Sequence, residues 1–274
     1  MKIKLYSLYP RFNDFQIPKY IEWTNEGYEG QVEAYHIEAY HDAFIPLGIK
    51  NKNNGKKKIA IITEPRCVWN LFFKCDLDEI LEKNSNVYEY IFTYDTTILK
   101  LSNSKIMPFI GVWDSNDLEK KKNISMVCSN KSMCEGHLIR QKIADKLKNK
   151  IDVLGNYLGN NRVSIKEIYG EYKYSVVLEN EISEWYFTEK VLNAFANKCI
   201  PIYYGSCKIL ELFNPDGIIY IKDINDIENI IDNLDIKDYE NHLEAITENY
   251  EKVKEYMCYE DYLYKTYKDI LEGL

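Results

Sequence analysis

Residues 172–190 read Tyr172-Lys173-Tyr174-Ser175-Val176-Val177-Leu178-Glu179-Asn180-Glu181-Ile182-Ser183-Glu184-Trp185-Tyr186-Phe187-Thr188-Glu189-Lys190. After a helical stretch the chain continues Ile200-Pro201-Ile202-Tyr203-Tyr204-Gly205. Ser175–Leu178 is a short apolar run closed by the polar pair Glu179-Asn180, the pattern of a buried strand. Thr188 stands where a helix N-cap belongs. Glu189 and Lys190 open the helix, and Val191, Leu192 and Phe195 share one of its faces. Ile200–Tyr204 reads as the next strand, ended by Gly205. Strand, polar loop, helix and strand make one unit of a parallel sheet. The free N–H groups and the dipole at the helix start favour an anion, and Lys190 adds a full positive charge there. Glu189 offers acceptors for ribose hydroxyls, and Tyr186 offers a ring face for a base or sugar. The same residues also suit an ordinary capped helix with an acidic first turn.

Outward from this segment the pattern repeats. Ile3–Leu8, Lys58–Ile62, Tyr88–Phe92, Ile124–Cys128, Ile151–Leu154 and Ile218–Ile221 read as strands. Met107–Trp113 reads as a strand or extended loop, and Cys75–Leu81 and Leu138–Lys148 as helices. Between two such blocks lies the charged stretch Asp114–Asn123, in which Glu119 is followed by three lysines. It reads as a linker or surface helix. The expectation is therefore two doubly wound α/β domains, residues 1–120 and 121–274. Ligands of open parallel sheets bind beyond the carboxyl ends of the strands, which directs attention to Glu64, Asn130, Asn180 and Gly205. The acidic tail from Ile221 to Asp261 reads as a solvated helical face.

Composition bounds the function. The 274 residues are 46% hydrophobic and 28% charged, a globular and not a disordered balance. A net charge of −8 argues against a general nucleic-acid binder, whose affinity rests on Lys and Arg meeting phosphates. It leaves room for a small phosphorylated ligand held by one or two cations. No apolar run reaches the ~18 residues of a membrane span, and MKIKLYSLYP has no long apolar core, so neither a transmembrane segment nor a signal peptide is expected. Any membrane association would be peripheral. The seven cysteines form no C-x-x-C pair, which leads to an expectation of reduced thiols, a cytoplasmic setting and no zinc site. Asp76-Leu77-Asp78 has the spacing of a metal-diphosphate motif but opens an amphipathic stretch, so no metal is expected.

The segment 172–205 resembles the donor-binding signature of the α-1,3-fucosyltransferases, glycosyltransferase family 10. That signature runs Tyr-Lys-Phe, apolar strand, Glu-Asn, short loop, Tyr-x-Thr-Glu-Lys, helix, Pro-(Ile/Val)-x-x-Gly. Weaker echoes are Ser129-Asn130 with Arg140 and Leu147, Ile151-Asp152-Val153-Leu154-Gly155, Phe92-Thr93-Tyr94-Asp95 with Met107-Pro108, and Thr63-Glu64-Pro65. Together they cover residues 58–222. The resemblance implies a GT-B fold, two Rossmann-like domains facing across a cleft, with residues 1–120 on the acceptor side and residues 121–274 binding the nucleotide sugar. It implies GDP-fucose as donor, a glycan as acceptor, and inverting transfer.

Carried over by position, Arg140 and Lys190 would contact the diphosphate and stabilise the GDP leaving group, without a metal cofactor. Glu189 would hold the ribose. Tyr186, Asn180 and Asn130 would line the nucleotide pocket, and Glu179 would either order the pocket or touch the ligand. An acceptor hydroxyl is a weak nucleophile, so a carboxylate base is useful. Glu64 is the first candidate and Asp95 the second. A helix-capping or salt-bridged Glu64 is the alternative. His36 and His41, within Glu33–Asp42, suit a loop role better than catalysis or metal binding.

Departures leave other readings open. Pro65-Arg66-Cys67 differs from the family pattern, Glu181 stands where Ser is frequent, and Trp185 precedes Tyr186. Another GDP-sugar, a deoxyhexose or a heptose, remains an alternative donor. A catalytically silent carbohydrate- or nucleotide-binding protein on the same fold is the alternative from another class.

Overall fold

The structure, a computed structural model, describes residues 1–7, 19–25, 35–73, 76–108, 111–159 and 161–274. Leu8, Glu33, Cys75 and the middle of the stretch Met107–Trp113 lie outside them. Two compact units result: Met1–Phe109 with Cys258–Leu274, and Ile110–Met257. The boundary expected at residue 120 thus falls earlier, and the tail from Cys258 returns to the first unit. The physical reason is the final helix, Tyr259–Glu272, whose Leu263 and Leu271 are buried among Ile3, Ile37, Ile59 and Phe92.

Among the described residues the first unit holds six strands: β1 (Lys2–Tyr6), β2 (Glu22–Asn25), β3 (Ile37–His41), β4 (Lys57–Ile62), β5 (Tyr90–Thr93) and β6 (Ser104–Ile106). They form one sheet in the order β2-β1-β3-β4-β5-β6, every pair parallel. Side chains alternate between its faces. Ile59 and Ile61 pack with Ile3 and Leu5, whereas Ala60 and Ile62 pack with Tyr40, Trp69 and Leu81. Burial on both faces explains why β4 reads as an unbroken apolar run. β3 escaped the sequence reading because it carries Glu38 and ends in His41. Both are buried, and Glu38 accepts hydrogen bonds from Tyr40 (2.6 Å) and Asn54 (2.9 Å).

The second unit holds β7 (Lys122–Val127), β8 (Asp152–Leu154), β9 (Tyr172–Leu178), β10 (Ile200–Tyr204) and β11 (Ile219–Tyr220). Their order is β11-β10-β9-β7-β8, again all parallel. Its core joins Ile124, Met126, Val176 and Ile202 to Ile143 and Leu147 of the helix Glu135–Leu147. In the tail, the helices Ile227–Asn233 and Leu243–Val253 bury Ile227, Ile231 and Ile246 and turn most of their acids outward. The stretch from Asp114 is extended, not helical, until β7 begins at Lys122. It is tied along the helix Glu189–Ala196: Trp113 N–H donates to Asn193 Oδ1 (2.8 Å) and Asn197 Nδ2 donates to Asp114 O (2.9 Å).

In each sheet the strand order reverses once, and ligands of such sheets bind where it does. In the first the reversal lies between β1 and β3, in the second between β7 and β9. Reduced thiols are found at Cys128, Cys199, Cys207 and Cys258, but Cys67 takes part in a disulfide, and so does Cys134, a correction to the expectation of thiols throughout. No helix among the described residues is long and apolar enough to cross a membrane.

Candidate functional site

At the reversal of the second sheet, Glu179 directly follows β9 and is 1% exposed. Its carboxylate would be costly to bury unpaired, and it is fully engaged. Oε1 accepts the Thr188 N–H (2.9 Å) and Oε2 the Thr188 hydroxyl (2.8 Å). The Lys190 ammonium donates to Oε2 (3.3 Å), and the Tyr203 hydroxyl lies 3.5 Å from Oε1. Glu179 thus ties the end of the strand to Thr188 and Lys190. Thr188 is the N-cap foreseen for the helix Glu189–Ala196, its hydroxyl accepting the Lys190 N–H (3.3 Å) and the Lys190 ammonium (2.9 Å).

The Lys190 side chain is 22% exposed, and Glu189 Oε1 lies 3.5 Å from its ammonium. Burial opposes the charge, but Glu189 and Glu179 outweigh it and hold the ammonium above its ordinary range. Arg140 pushes the other way, so the two cations feel each other.

Arg140 lies on the helix Glu135–Leu147, which follows β7. It is 8% exposed. One terminal nitrogen, Nη2, donates to Leu178 O and to Asn180 Oδ1 (2.9 Å). Its Nε–H and Nη1 groups make no hydrogen bond among the described residues. Burial lowers the guanidinium's pKa and Glu179 counters this. An arginine remains charged regardless.

Two glycines permit this closeness. A Cβ on Gly136 would stand 2.6 Å from Asn180 Cα and from the Glu179 and Asn180 carbonyl oxygens. One on Gly205 would stand 2.7 Å from Glu179 Cγ. His137, beside Gly136, was not foreseen. Its Nδ1 accepts the Cys134 N–H (3.2 Å), closing the helix start, and burial with Arg140, Lys131 and Lys190 nearby depresses its pKa to about 4. A histidine three residues before an arginine on one helix was the available signal.

Asn130 lies at the end of β7, on the same sheet edge. It is exposed and pairs with Asn156, its N–H donating to Asn156 Oδ1 (3.1 Å). It is not joined to the Arg140–Glu179–Lys190 cluster by any hydrogen bond shown. Tyr186 is 2% exposed. The open ring face expected of it is not there, because Tyr186 is packed inside, with its phenol near enough to favour the charge of Arg140.

In the first unit, Glu64 follows β4, half-buried, its N–H donating to Asp42 Oδ1 (3.2 Å) and its C=O accepting from the Tyr94 hydroxyl (3.1 Å). Asp95 is already engaged: Arg66 donates to its Oδ2 (2.5 Å) and Oδ1 (2.9 Å), and Asp95 caps the Thr97 N–H (2.8 Å). That makes it a poor base. Of Asp76-Leu77-Asp78, Asp76 caps the helix Leu77–Asn84 and Asp78 pairs with Arg66 (2.8 and 2.9 Å). Asp78 and Asp95 together raise the Arg66 pKa, and Arg66 lowers that of Asp78. Among the described residues no group of three or more His, Cys, Asp or Glu is placed to hold a metal. His36 is exposed before β3, whereas His41 ends that strand, buried, and not in a loop.

Residues 118–268, more than half of the chain, match the family model described as glycosyltransferase family 10 (fucosyltransferase), C-terminal part. Over 124 residues the chain is 32% identical to the alpha-(1,3)-fucosyltransferase FucT of Helicobacter pylori, a match covering 43% of this chain and 25% of that protein. The chain thus matches about a quarter of the length of this curated relative. A crystal structure of an alpha1,3-fucosyltransferase with GDP superposes with a TM-score of 0.58 at 17% identity, over 99% of this chain and 90% of that one. A second, with GDP-fucose, gives 0.52 at 18% identity over 90% and 81%. At such identities the likeness establishes the fold, which is GT-B.

Proposed function

Because this chain belongs to glycosyltransferase family 10, we propose that it transfers fucose from GDP-fucose to a hydroxyl of a glycan acceptor, inverting the anomeric centre. The observation that carries this reading is the buried guanidinium of Arg140. It is anchored through one nitrogen and keeps its other donors unengaged by the described residues, on the same sheet edge as Lys190 at a helix N-terminus. That is the chemistry of a diphosphate site: a planar fork and a point charge, held in place before the ligand arrives. The neighbouring structures with GDP and GDP-fucose support the choice of nucleotide.

In this reading the second unit binds the nucleotide sugar and the first carries the acceptor. Charge gathers on the GDP oxygens as the glycosidic bond breaks, and Arg140 and Lys190 stabilise it, so the reading needs no metal. Glu189 accepts hydrogen bonds from the ribose. Asn180 and Glu179 serve by holding Arg140, Thr188 and Lys190. Asn130 lines the same edge, and Tyr186 backs Arg140. Glu64 takes the proton from the acceptor hydroxyl as its oxygen attacks. We also propose a cytoplasmic setting, with any membrane association peripheral.

The test is a glycan-acceptor array incubated with GDP-fucose or GDP-heptose and read by mass spectrometry. A mass gain of one deoxyhexose from GDP-fucose supports the proposal. Gain only from GDP-heptose would replace the donor, and no gain with any acceptor, together with no donor hydrolysis, would leave a silent binding protein.

A further inference from the structure

The turn after β4 is held more tightly than a loop ordinarily is. Both backbone polar groups of Glu64 are occupied, the N–H by Asp42 and the C=O by Tyr94. Pro65 follows and restricts the Glu64 backbone to extended conformations. Arg66, next again, is locked between Asp95 and Asp78.

The centre of this clamp is Asp42, at the reversal point of the first sheet. It is 1% exposed. Its Oδ1 accepts the N–H groups of Thr63 (2.9 Å) and Glu64 (3.2 Å), and its Oδ2 the Thr63 hydroxyl (2.7 Å). His41 Nε2 lies 3.1 Å from Oδ2 and 2.8 Å from Thr63 Oγ1, and His41 Nδ1 is 3.1 Å from Ser7 Oγ. The ends of β1, β3 and β4 are thereby tied to one carboxylate. To reach these donors Asp42 adopts φ +45°, a left-handed backbone that costs a non-glycine residue free energy. A loop that needed only its shape would be served better by glycine here. The strain is retained together with the carboxylate.

We propose that Asp42 is a positioning residue for sugar transfer, its carboxylate fixing the Glu64 backbone so that the Glu64 side chain meets the acceptor hydroxyl in one geometry. This rests on the reading of Glu64 as the base. In the step it serves, the acceptor O–H proton passes to Glu64, the oxygen bonds to the anomeric carbon, and the bond to GDP breaks with its electron pair leaving on the phosphate. His41 and Thr63 hold Asp42 in turn.

GDP-fucose hydrolysis, with water as acceptor, tests this in the intact chain without knowledge of the glycan. Asp42→Gly removes the carboxylate while suiting the backbone, so kcat falls about 10- to 100-fold with the KM for GDP-fucose and the affinity for GDP unchanged. Thr63→Val, which deletes one donor, lowers kcat in the same way, and Thr63→Ser recovers most of that loss. This second pair decides the matter should Asp42→Gly fail to fold. Wild-type kcat in Asp42→Gly or Thr63→Val, beside an inactive Glu64→Gln, overturns the role of Asp42 alone. Wild-type kcat in Glu64→Gln overturns the base assignment on which it rests.

Discussion

Thr188 and Glu179 are joined twice: the Thr188 N–H meets one carboxylate oxygen at 2.9 Å and its hydroxyl meets the other at 2.8 Å. One residue directly follows a strand and the other caps the next helix. The pair therefore sets where the helix begins and, with it, where Lys190 stands.

Replacing Glu179 by Gln keeps the volume but turns an acceptor into a donor facing Thr188 and Lys190. The expected cost is about 2–4 kcal/mol, the range for breaking a buried, hydrogen-bonded charge. Urea denaturation measures it. GDP affinity falls alongside, because Lys190 loses its anchor. An unchanged midpoint would mean that the network is dispensable.

In the proposed reading, Arg140→Ala and Lys190→Ala each remove a charge-assisted contact with a phosphate. Such contacts contribute about 1.5–3 kcal/mol, or roughly 10- to 100-fold in affinity. Calorimetry on both variants is expected to show that loss for GDP and none for guanosine. Arg140→Lys is expected to behave more like Arg140→Ala than like wild type, since an ammonium cannot be anchored through one nitrogen and still present a fork.

Gly136→Ala places a methyl group 2.6 Å from the backbone of Glu179 and Asn180. Backbone cannot swing aside as a side chain can, so helix and loop must separate. The expected cost is about 1–3 kcal/mol of stability, with weaker GDP binding, checked by thermal denaturation with and without GDP.

His137 titrates at about 4 in the folded chain, against 6.5 when unperturbed. Between these values the unfolded chain binds a proton that the folded chain refuses. Stability is therefore intact above pH 6.5 and is lost as pH falls toward 4, by roughly 3 kcal/mol at most. His137→Asn retains an acceptor for the Cys134 N–H without the titration. Denaturation at pH 7 and pH 4.5 is expected to show a smaller acid loss in this variant than in wild type, and equal losses would remove His137 as the source.

Much of this was legible in the residues themselves. The run Ile59–Ile62 and the segment Ser175–Leu178 announce strands because both faces are buried, and Thr188 announces its helix because few residue types cap one. Arg140, Glu179, Asn180, Glu189 and Lys190 are picked out by position through the family resemblance, and the structure joins Arg140 to Asn180 and Lys190 to Glu179 and Glu189. What the sequence concealed depends on contacts between distant residues. β3 holds polar residues whose partners lie elsewhere, the final helix belongs with the first strands, and Tyr186 is enclosed. Asp95 looked available until Arg66 was seen to hold it. The left-handed backbone of Asp42 leaves no mark in the sequence, since nothing in an aspartate's identity announces it.

In the proposed reading the Arg140–Glu179–Lys190 cluster forms the diphosphate site of a guanosine nucleotide sugar. Thermal shift of the intact chain against GDP, UDP, ADP and CMP tests it most directly. The expected result is stabilisation by GDP, about 2.7 kcal/mol at a concentration near 100 times Kd, that is lost in Arg140→Ala and Lys190→Ala. Stabilisation by UDP and not by GDP would contradict it.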